Sequence, residues 1–275
     1  MERNDKKSIL LISDLVGMGN LSTTAMLPIL AYMGFPTYNL PTSLVSNNFG
    51  YGSYSMLDTT SYLKETFPIW EKLGFRFSSI ATGFIPSEEQ ARVIAQFCQK
   101  QAAAGTTIYV DPVMADDGSM YSGLPPATID TMRKMLNVAD LCYPNYTEAC
   151  YLTGTQYQKG GVSMAEARSL LDGIRSFGAK SVLITSIHVD GKPSVAGYNH
   201  QDDSYFALGY DEIPLTFSGT GDVFAAILIG HIMRGENLLR STQAAMDGVY
   251  NFIRLNKDAD DPYKGLPIEK YLSIL

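Results

Sequence analysis

Between Phe77 and Pro112 the chain reads FSSIATGFIPSEEQARVIAQFCQKQAAAGTTIYVDP, and this stretch decides the fold class. Residues 77–82 form a short apolar run of strand length. Residues 87–104 open on Ser-x-x-Gln, set Ala91, Ile94, Phe97 and Cys98 at helical spacing, and stop at Gly105. Residues 107–110 then return to strand composition.

The same alternation extends outward in both directions. Residues 8–13, 139–142 and 181–185 read as strands, and residues 163–177 begin with Ser-x-x-Glu and stop at Gly178. The expected class is α/β: a doubly wound, mostly parallel central sheet with helices on both faces. No internal repeat, Pro-rich linker or charge block marks a second domain, so residues 1–275 are read as one. Residues 188–214 lack a helical period, contain Asp190-Gly191, and predict one or two hairpins that form a small β flap.

Composition narrows the function. With 275 residues, 45% of them hydrophobic and 18% charged, the chain can bury a large core. Its 28 acidic groups against 21 basic ones give a net charge of -7, which disfavours a sequence-independent grip on nucleic acid or an anionic membrane. Cys98, Cys142 and Cys150 make no C-x-x-C pair and suit a reducing compartment. A hydrophilic start at residues 1–7 and a longest apolar run of only residues 223–229 predict a soluble, cytoplasmic protein.

In such folds ligands collect at the carboxyl ends of the strands. The sharpest signal is Ser218-Gly219-Thr220-Gly221-Asp222, directly before the apolar helix expected over residues 223–234. Glycines ahead of a helix expose backbone N–H donors, and the helix dipole adds positive potential, so an anion site needs no lysine. Asp222 beside it can take a proton from a hydroxyl that attacks a phosphoryl group. The plainer alternative is a Gly-rich turn in which Asp222 only stabilises the helix start. Asp111-Pro112-Val113-Met114 and Asn145-Tyr146-Thr147-Glu148 each follow a strand, and their carboxylates are candidates for Mg²⁺ and its waters. Asn-x-x-Glu is equally a capping box, and Asp111 before proline equally a turn residue.

Residues 15–57 contain no Asp, Glu, Lys or Arg, yet include Tyr32, Phe35, Tyr38, Phe49, Tyr51 and Tyr54. That suits a buried helix and strands around an aromatic, hydrogen-bonding substrate, or equally core and an oligomer interface. Val16-Gly17-Met18-Gly19-Asn20-Leu21-Ser22 is a degraded dinucleotide fingerprint without the third glycine, and no acidic residue follows before Asp58, which argues against an oxidoreductase. His188, His200 and His231 form neither a metal motif nor a triad, and no P-loop is present.

Taken together, these segments resemble the ribokinase superfamily and, within it, the pyridoxal kinase family. The resemblance rests on residues 14–22 with Leu27-Pro28, on 40–46, 82–85, 111–118 with Tyr121, 144–149 with 152–154, and 219–222, in the family's order across nearly the whole chain. It implies a ribokinase-like fold and ATP-dependent phosphorylation of the 5′-hydroxymethyl group of pyridoxal, pyridoxamine or pyridoxine, with Mg²⁺ and in some members a monovalent cation.

Carried onto this chain, the resemblance makes Asp222 the general base and the amides of Gly219, Thr220 and Gly221 the anion hole. Asp111, Tyr143, Asn145, Glu148 and Thr185 fall on the nucleotide side, with Asp111 and Glu148 toward the metal. Asp14, Asn48, Phe49 and Phe84 join Asp222 around the vitamin, residues 188–214 cover the nucleotide, and a homodimer is expected. Positions 48 and 84 are often His and Tyr in the family, and position 14 is Ser in some branches, so the ring substituent that is read differs here. Thr185 stands where some relatives place Lys. Hydroxymethylpyrimidine kinase, which shares the fold and the base, is the near rival, and a non-catalytic vitamer sensor the distant one.

Overall fold

The computed structural model describes residues 7–121 and 123–275, so the first six positions of the hydrophilic start lie outside the described residues. In chain order the elements begin with β1 (Ile9–Ile12), β2 (Leu15–Met18), α1 (Thr23–Tyr32), β3 (Thr37–Asn39), β4 (Ser43–Asn47), β5 (Met56–Asp58) and α2 (Thr60–Leu73). There follow β6 (Ser79–Thr82), α3 (Glu88–Ala103), β7 (Thr107–Val110), the two-residue strands β8 (Ala115–Asp116) and β9 (Ser119–Met120), α4 (Thr128–Leu136), β10 (Leu141–Cys142), α5 (Tyr146–Thr153) and α6 (Met164–Arg175). The remainder is β11 (Ser181–Val189), β12 (Lys192–Asn199), β13 (Ser204–Gly209), α7 (Thr220–Arg234) and α8 (Leu238–Leu255). No described helix is long and apolar enough to cross a membrane.

These elements fall into two compact units, each built from separated stretches of chain. The first comprises the chain up to Thr59, Phe77–Ser79 and Glu212–Leu275. In it β1, buried at every position, pairs parallel with β3, Ile9 opposite Thr37. Strands β2 and β4 also pair parallel, and β5 closes this small sheet antiparallel to β4. Helix α7 is apolar almost all round, which requires neighbours on several sides. Gly230 brings it against Met33 at the end of α1, and Gly248 of α8 lies against Ile227; a side chain at either glycine would collide with that neighbour.

The second unit comprises Thr60–Arg76 and Ile80–Asp211. Here β7, β10 and β11 are parallel neighbours, linked through α4 to α6, as strands joined by helical crossovers must be. The hairpins expected within residues 188–214 are present and continue the sheet: β11 runs on to Val189, turns at Asp190-Gly191 with both φ values positive, and β12 and β13 extend the ladder antiparallel as far as Gly209.

The helix boundaries follow the capping chemistry. Ser87 accepts from the Gln90 amide and starts α3, while Gly105 adopts φ +96 after its end. Ser163 and Glu166 close a full capping box on α6, and Gly178 turns the chain at φ +114. Within this unit Phe97 of α3 is 2% exposed and stacks on Phe67 of α2 at 4.2 Å. Phe97→Ala is expected to destabilise the protein by about 3–5 kcal/mol, read as a lower urea midpoint. A loss below about 1 kcal/mol would mean that this aromatic contact is not part of the core.

Candidate active site

The turn before α7 is forced by local sterics. Gly219 takes φ +80, and a Cβ there would stand 2.7 Å from the Asn20 carbonyl oxygen and 2.9 Å from Leu21 Cδ2. Only glycine meets both demands. Gly219 is the N-cap, so no side chain caps the leading amides of α7, and the helix starts with N–H donors available to an anion.

Asp222, in the first turn of α7, is fixed from the other side of the first unit. The Ser22 amide donates to its Oδ2 at 2.7 Å. To aim that amide, Ser22 adopts φ 50, ψ -131, a region that costs a non-glycine residue on the order of 1–3 kcal/mol. Hydrogen bonds offset the strain: Ser22 Oγ donates to the Asp14 carbonyl at 3.0 Å and shares a 2.7 Å bond with Ser13 Oγ. Ser13 Oγ also reaches Asp14 Oδ1 at 3.2 Å.

Both acids are shifted upward. Asp222 keeps some accessible edge, yet its carboxylate is crowded by protein, and desolvation pushes its pKa to about 7 against the Ser22 hydrogen bond, with the Asp14 charge adding to the rise. Asp14 is 8% exposed and is raised by burial, partly countered by Ser22 and Ser13. A half-protonated carboxylate at neutral pH, next to a ring of amides, is suited to accept a hydroxyl proton while the amides hold an oxyanion.

The other expected pocket residues of this unit are occupied with the protein itself. Asn48 accepts from the Gly50 amide at 2.8 Å and donates to the Tyr263 carbonyl at 2.9 Å, capping the tight turn Phe49–Tyr51. Phe49 packs on Val16, Leu21 and Val45 and lies 4.4 Å from the Tyr54 ring. Both shape the loop.

Phe84, Asp111, Tyr143, Asn145, Glu148 and Thr185 belong to the second unit. Asn145 and Glu148 do form the capping box of α5, and the same pair also organises the segment just after Asp111. Glu148 accepts from the amides of Asn145 at 2.9 Å and Met114 at 3.0 Å, while Asn145 Nδ2 donates to the Ala115 carbonyl at 2.7 Å. Thr147 Oγ1 accepts from the Gly118 amide at 2.9 Å. Residues 114–118 are thereby tied to the start of α5. Burial pushes Glu148 up to about 8 against the amides of Asn145, Met114 and Ala115.

Asp111 and Glu148 both raise the buried Cys142 thiol by their charge, after desolvation, so both lie close to this one strand end. Thr185 bridges Asn145 in parallel, its amide 3.0 Å from the Pro144 carbonyl. A register break between Ile184 and Ile187, with Ser186 at φ 54, bends β11 there. Tyr143 and Phe84 are buried. Asn20 and Ser22 carry no sequence signal for the roles the fold gives them beyond their place in residues 14–22, and Ser13 none beyond ending the strand read over residues 8–13.

Comparison with known proteins gives the family and the fold. The family model described as phosphomethylpyrimidine kinase matches residues 40–265. A pyridoxal kinase of Leifsonia xyli is 27% identical over 256 residues, covering 89% of this chain and 88% of its own. A pyridoxal kinase of Arabidopsis thaliana is 28% identical over 191 residues, covering 66% of this chain; the match spans 60% of the plant protein's length. The crystal structure of a provisionally assigned phosphomethylpyrimidine kinase from Bacteroides thetaiotaomicron superposes with a TM-score of 0.94 at 32% identity, covering 100% of this chain and 95% of that one. Its orthorhombic form, crystallised with pyridoxal, superposes at 0.92, with 31% identity and 98% and 96% coverage.

The shifted acid has a consequence for stability. Asp222 has a native pKa of about 7 against 3.8 unfolded, so between those values the native state binds more protons, and its contribution falls as pH rises through that window. Asp222→Asn removes the penalty while keeping an acceptor for Ser22. The variant is expected to melt about 2–4 °C above the parent at pH 8, the size of shift that on the order of 1 kcal/mol produces, and to converge with it below pH 4. Thermal scans at both pH values check this, and a variant less stable at pH 8 would contradict it.

Proposed function

This chain belongs to the phosphomethylpyrimidine kinase family, and from that premise we propose that it transfers the γ-phosphoryl group of ATP to the 5′-hydroxymethyl group of a B6 vitamer. The observation that carries the reading is Asp222, held by the Ser22 amide at the uncapped start of α7. Asp222 takes the proton of the attacking hydroxyl, and the amides of Gly219, Thr220 and Gly221 hold the oxygens of the phosphoryl group in flight. Its pKa of about 7 puts the base near the working range. The vitamer as substrate is supported by the pyridoxal kinases among the relatives and by the pyridoxal bound to the Bacteroides protein. In this reading Asp14 faces the ring from the first unit, with Asn48 and Phe49 shaping the loop.

Among the described residues no group of three or more His, Cys, Asp or Glu side chains could hold a metal ion. The oxygen donors of Asp111 and Glu148 suit Mg²⁺, which binds through one or two carboxylates with waters and nucleotide phosphates. Asp111 and Glu148 would hold it, Glu148 through water because both of its oxygens already accept backbone amides. Bound there, Mg²⁺ neutralises phosphate charge; Asn145, Tyr143 and Thr185 frame the nucleotide side. Because the family's description names a pyrimidine kinase, hydroxymethylpyrimidine is the second alcohol to test.

The test is product formation from ATP with pyridoxal, pyridoxamine, pyridoxine and hydroxymethylpyrimidine in parallel. Turnover of a vitamer is expected, with kcat/KM rising with pH through about 7 as Asp222 ionises. In Asp222→Asn kcat should fall by roughly 10²–10⁴ with nucleotide binding kept. Undiminished turnover in that variant would remove Asp222 as the base, and turnover of the pyrimidine alone would reassign the substrate.

We also propose a homodimer. Leu44 and Leu57 are register partners on one face of the small β2-β4-β5 sheet and are 42% and 61% exposed. Covering them would remove apolar surface that a monomer leaves in water. Sedimentation should show a dimer that Leu57→Lys weakens by about tenfold or more; a monomeric parent chain would exclude it.

A further inference from the structure

The C-terminal segment after α8 touches three loops of the first unit that the proposed reaction uses. Asp261 Oδ2 accepts from the Tyr51 hydroxyl at 2.6 Å. The Pro262 carbonyl accepts from the Ser218 amide at 3.1 Å, immediately before the anion-hole turn. The Tyr263 carbonyl accepts from Asn48 Nδ2 at 2.9 Å, and its ring lies 5.3 Å from that of Tyr51. The Lys264 carbonyl accepts from the Asn20 amide at 2.8 Å, and the Leu266 carbonyl from Asn20 Nδ2 at 2.9 Å.

Gly265 sits at the crossing point. Its φ is +75, and a Cβ there would collide with the Asn20 carbonyl and stand 3.2 Å from the Ser218 carbonyl. The Asn20 carbonyl is the same group that excludes a Cβ from Gly219. Asn20 is therefore wedged between the anion-hole turn and the C-terminal segment, bonded to the latter on both sides of Gly265. Buried Leu266 and Ile268, each 1% exposed, anchor the segment.

The chain thus has a place where a few residues fix two separate loops to one another. On the reading that Asp222 and the 219–221 amides transfer a phosphoryl group, we infer that residues 261–266 are a strap that positions the anion-hole turn, through Asn20 and Pro262, and the substrate loop, through Tyr51 and Asn48. None of these strap residues touches the reacting atoms; Asn20 and Tyr51 are positioning residues. The two ends of the strap act on different kinetic constants. Loosening the Asn20 end displaces amides that act on the transition state and lowers kcat. Loosening the Tyr51 end displaces a loop that contacts the alcohol and raises its KM.

The experiment compares the full chain with Asn20→Ala, Asn20→Asp and Tyr51→Phe, with Phe97→Ala as a destabilised core variant away from the strap. Asn20→Asp keeps the shape of the side chain and loses the Nδ2 donor, so it serves where alanine does not fold. In the Asn20 variants kcat should fall about 10–100-fold with the alcohol KM nearly kept. In Tyr51→Phe the alcohol KM should rise about 3–10-fold with the ATP KM unmoved. Phe97→Ala should show neither pattern per folded molecule. Amide exchange at Thr220 and Gly221 should also accelerate in the Asn20 variants, a readout that needs no turnover. Unchanged exchange overturns the strap whether or not the protein is active, and unchanged kcat and KM in an active protein overturn it too. If the unaltered chain phosphorylates no alcohol while exchange does accelerate, the kinase reading fails and the strap stands as a brace of the anion-binding turn.

Discussion

One hydrogen bond organises the candidate site of the first unit: the Ser22 amide to Asp222 Oδ2, 2.7 Å long and spanning 200 positions of sequence. It exists only because Ser22 tolerates a left-handed backbone, and that conformation persists because Ser13 and the Asp14 carbonyl secure the Ser22 hydroxyl. The turn before α7 is equally constrained, since Gly219 leaves room for Asn20 and Leu21 where any side chain would not. Sterics at one glycine and strain at one serine thus set where a carboxylate stands relative to the leading amides of α7.

The electrostatics follow from that placement. Asp14 and Asp222 both stand in low-dielectric surroundings that raise them, the Asp14 charge adds to the rise at Asp222, and the fold accepts a stability penalty for an acid that holds its proton near neutrality. Glu148 repeats the pattern in the second unit. Its burial would be untenable for a bare carboxylate, but the amides of Asn145, Met114 and Ala115 oppose the desolvation. The same bonds make a helix cap and fasten residues 114–118 to α5. The capping and functional roles of Asn-x-x-Glu are therefore one arrangement rather than alternatives.

Local chemistry is legible wherever it is local. Ser87, Asn145 and Ser163 cap their helices, Gly105 and Gly178 turn the chain, and Asp190-Gly191 makes a hairpin, because each needs only neighbours within a few residues. Residues 15–18 show the limit. Their glycine suggests a loop, yet they form β2, because pairing with β4 supplies backbone partners that no propensity records. Likewise residues 188–214 carry a hairpin signal but no sign that β12 and β13 would extend the ladder of β11.

What the sequence by itself determined is the α/β class, the helix starts, and the glycine turn with its acid at residues 218–222. These depend on periodicity, capping and the absence of a Cβ, all properties of contiguous residues. Only the tertiary structure decided that Ser22 would hold Asp222, that Asn48 would be engaged by the Tyr263 carbonyl, and that residues 261–266 would bind three loops at once. The contacts of Ser22 and Asn48 join positions 200 and 215 apart, each through a backbone amide or carbonyl on one side. Every residue other than proline carries both groups, so their pairing leaves no mark in the order of side chains.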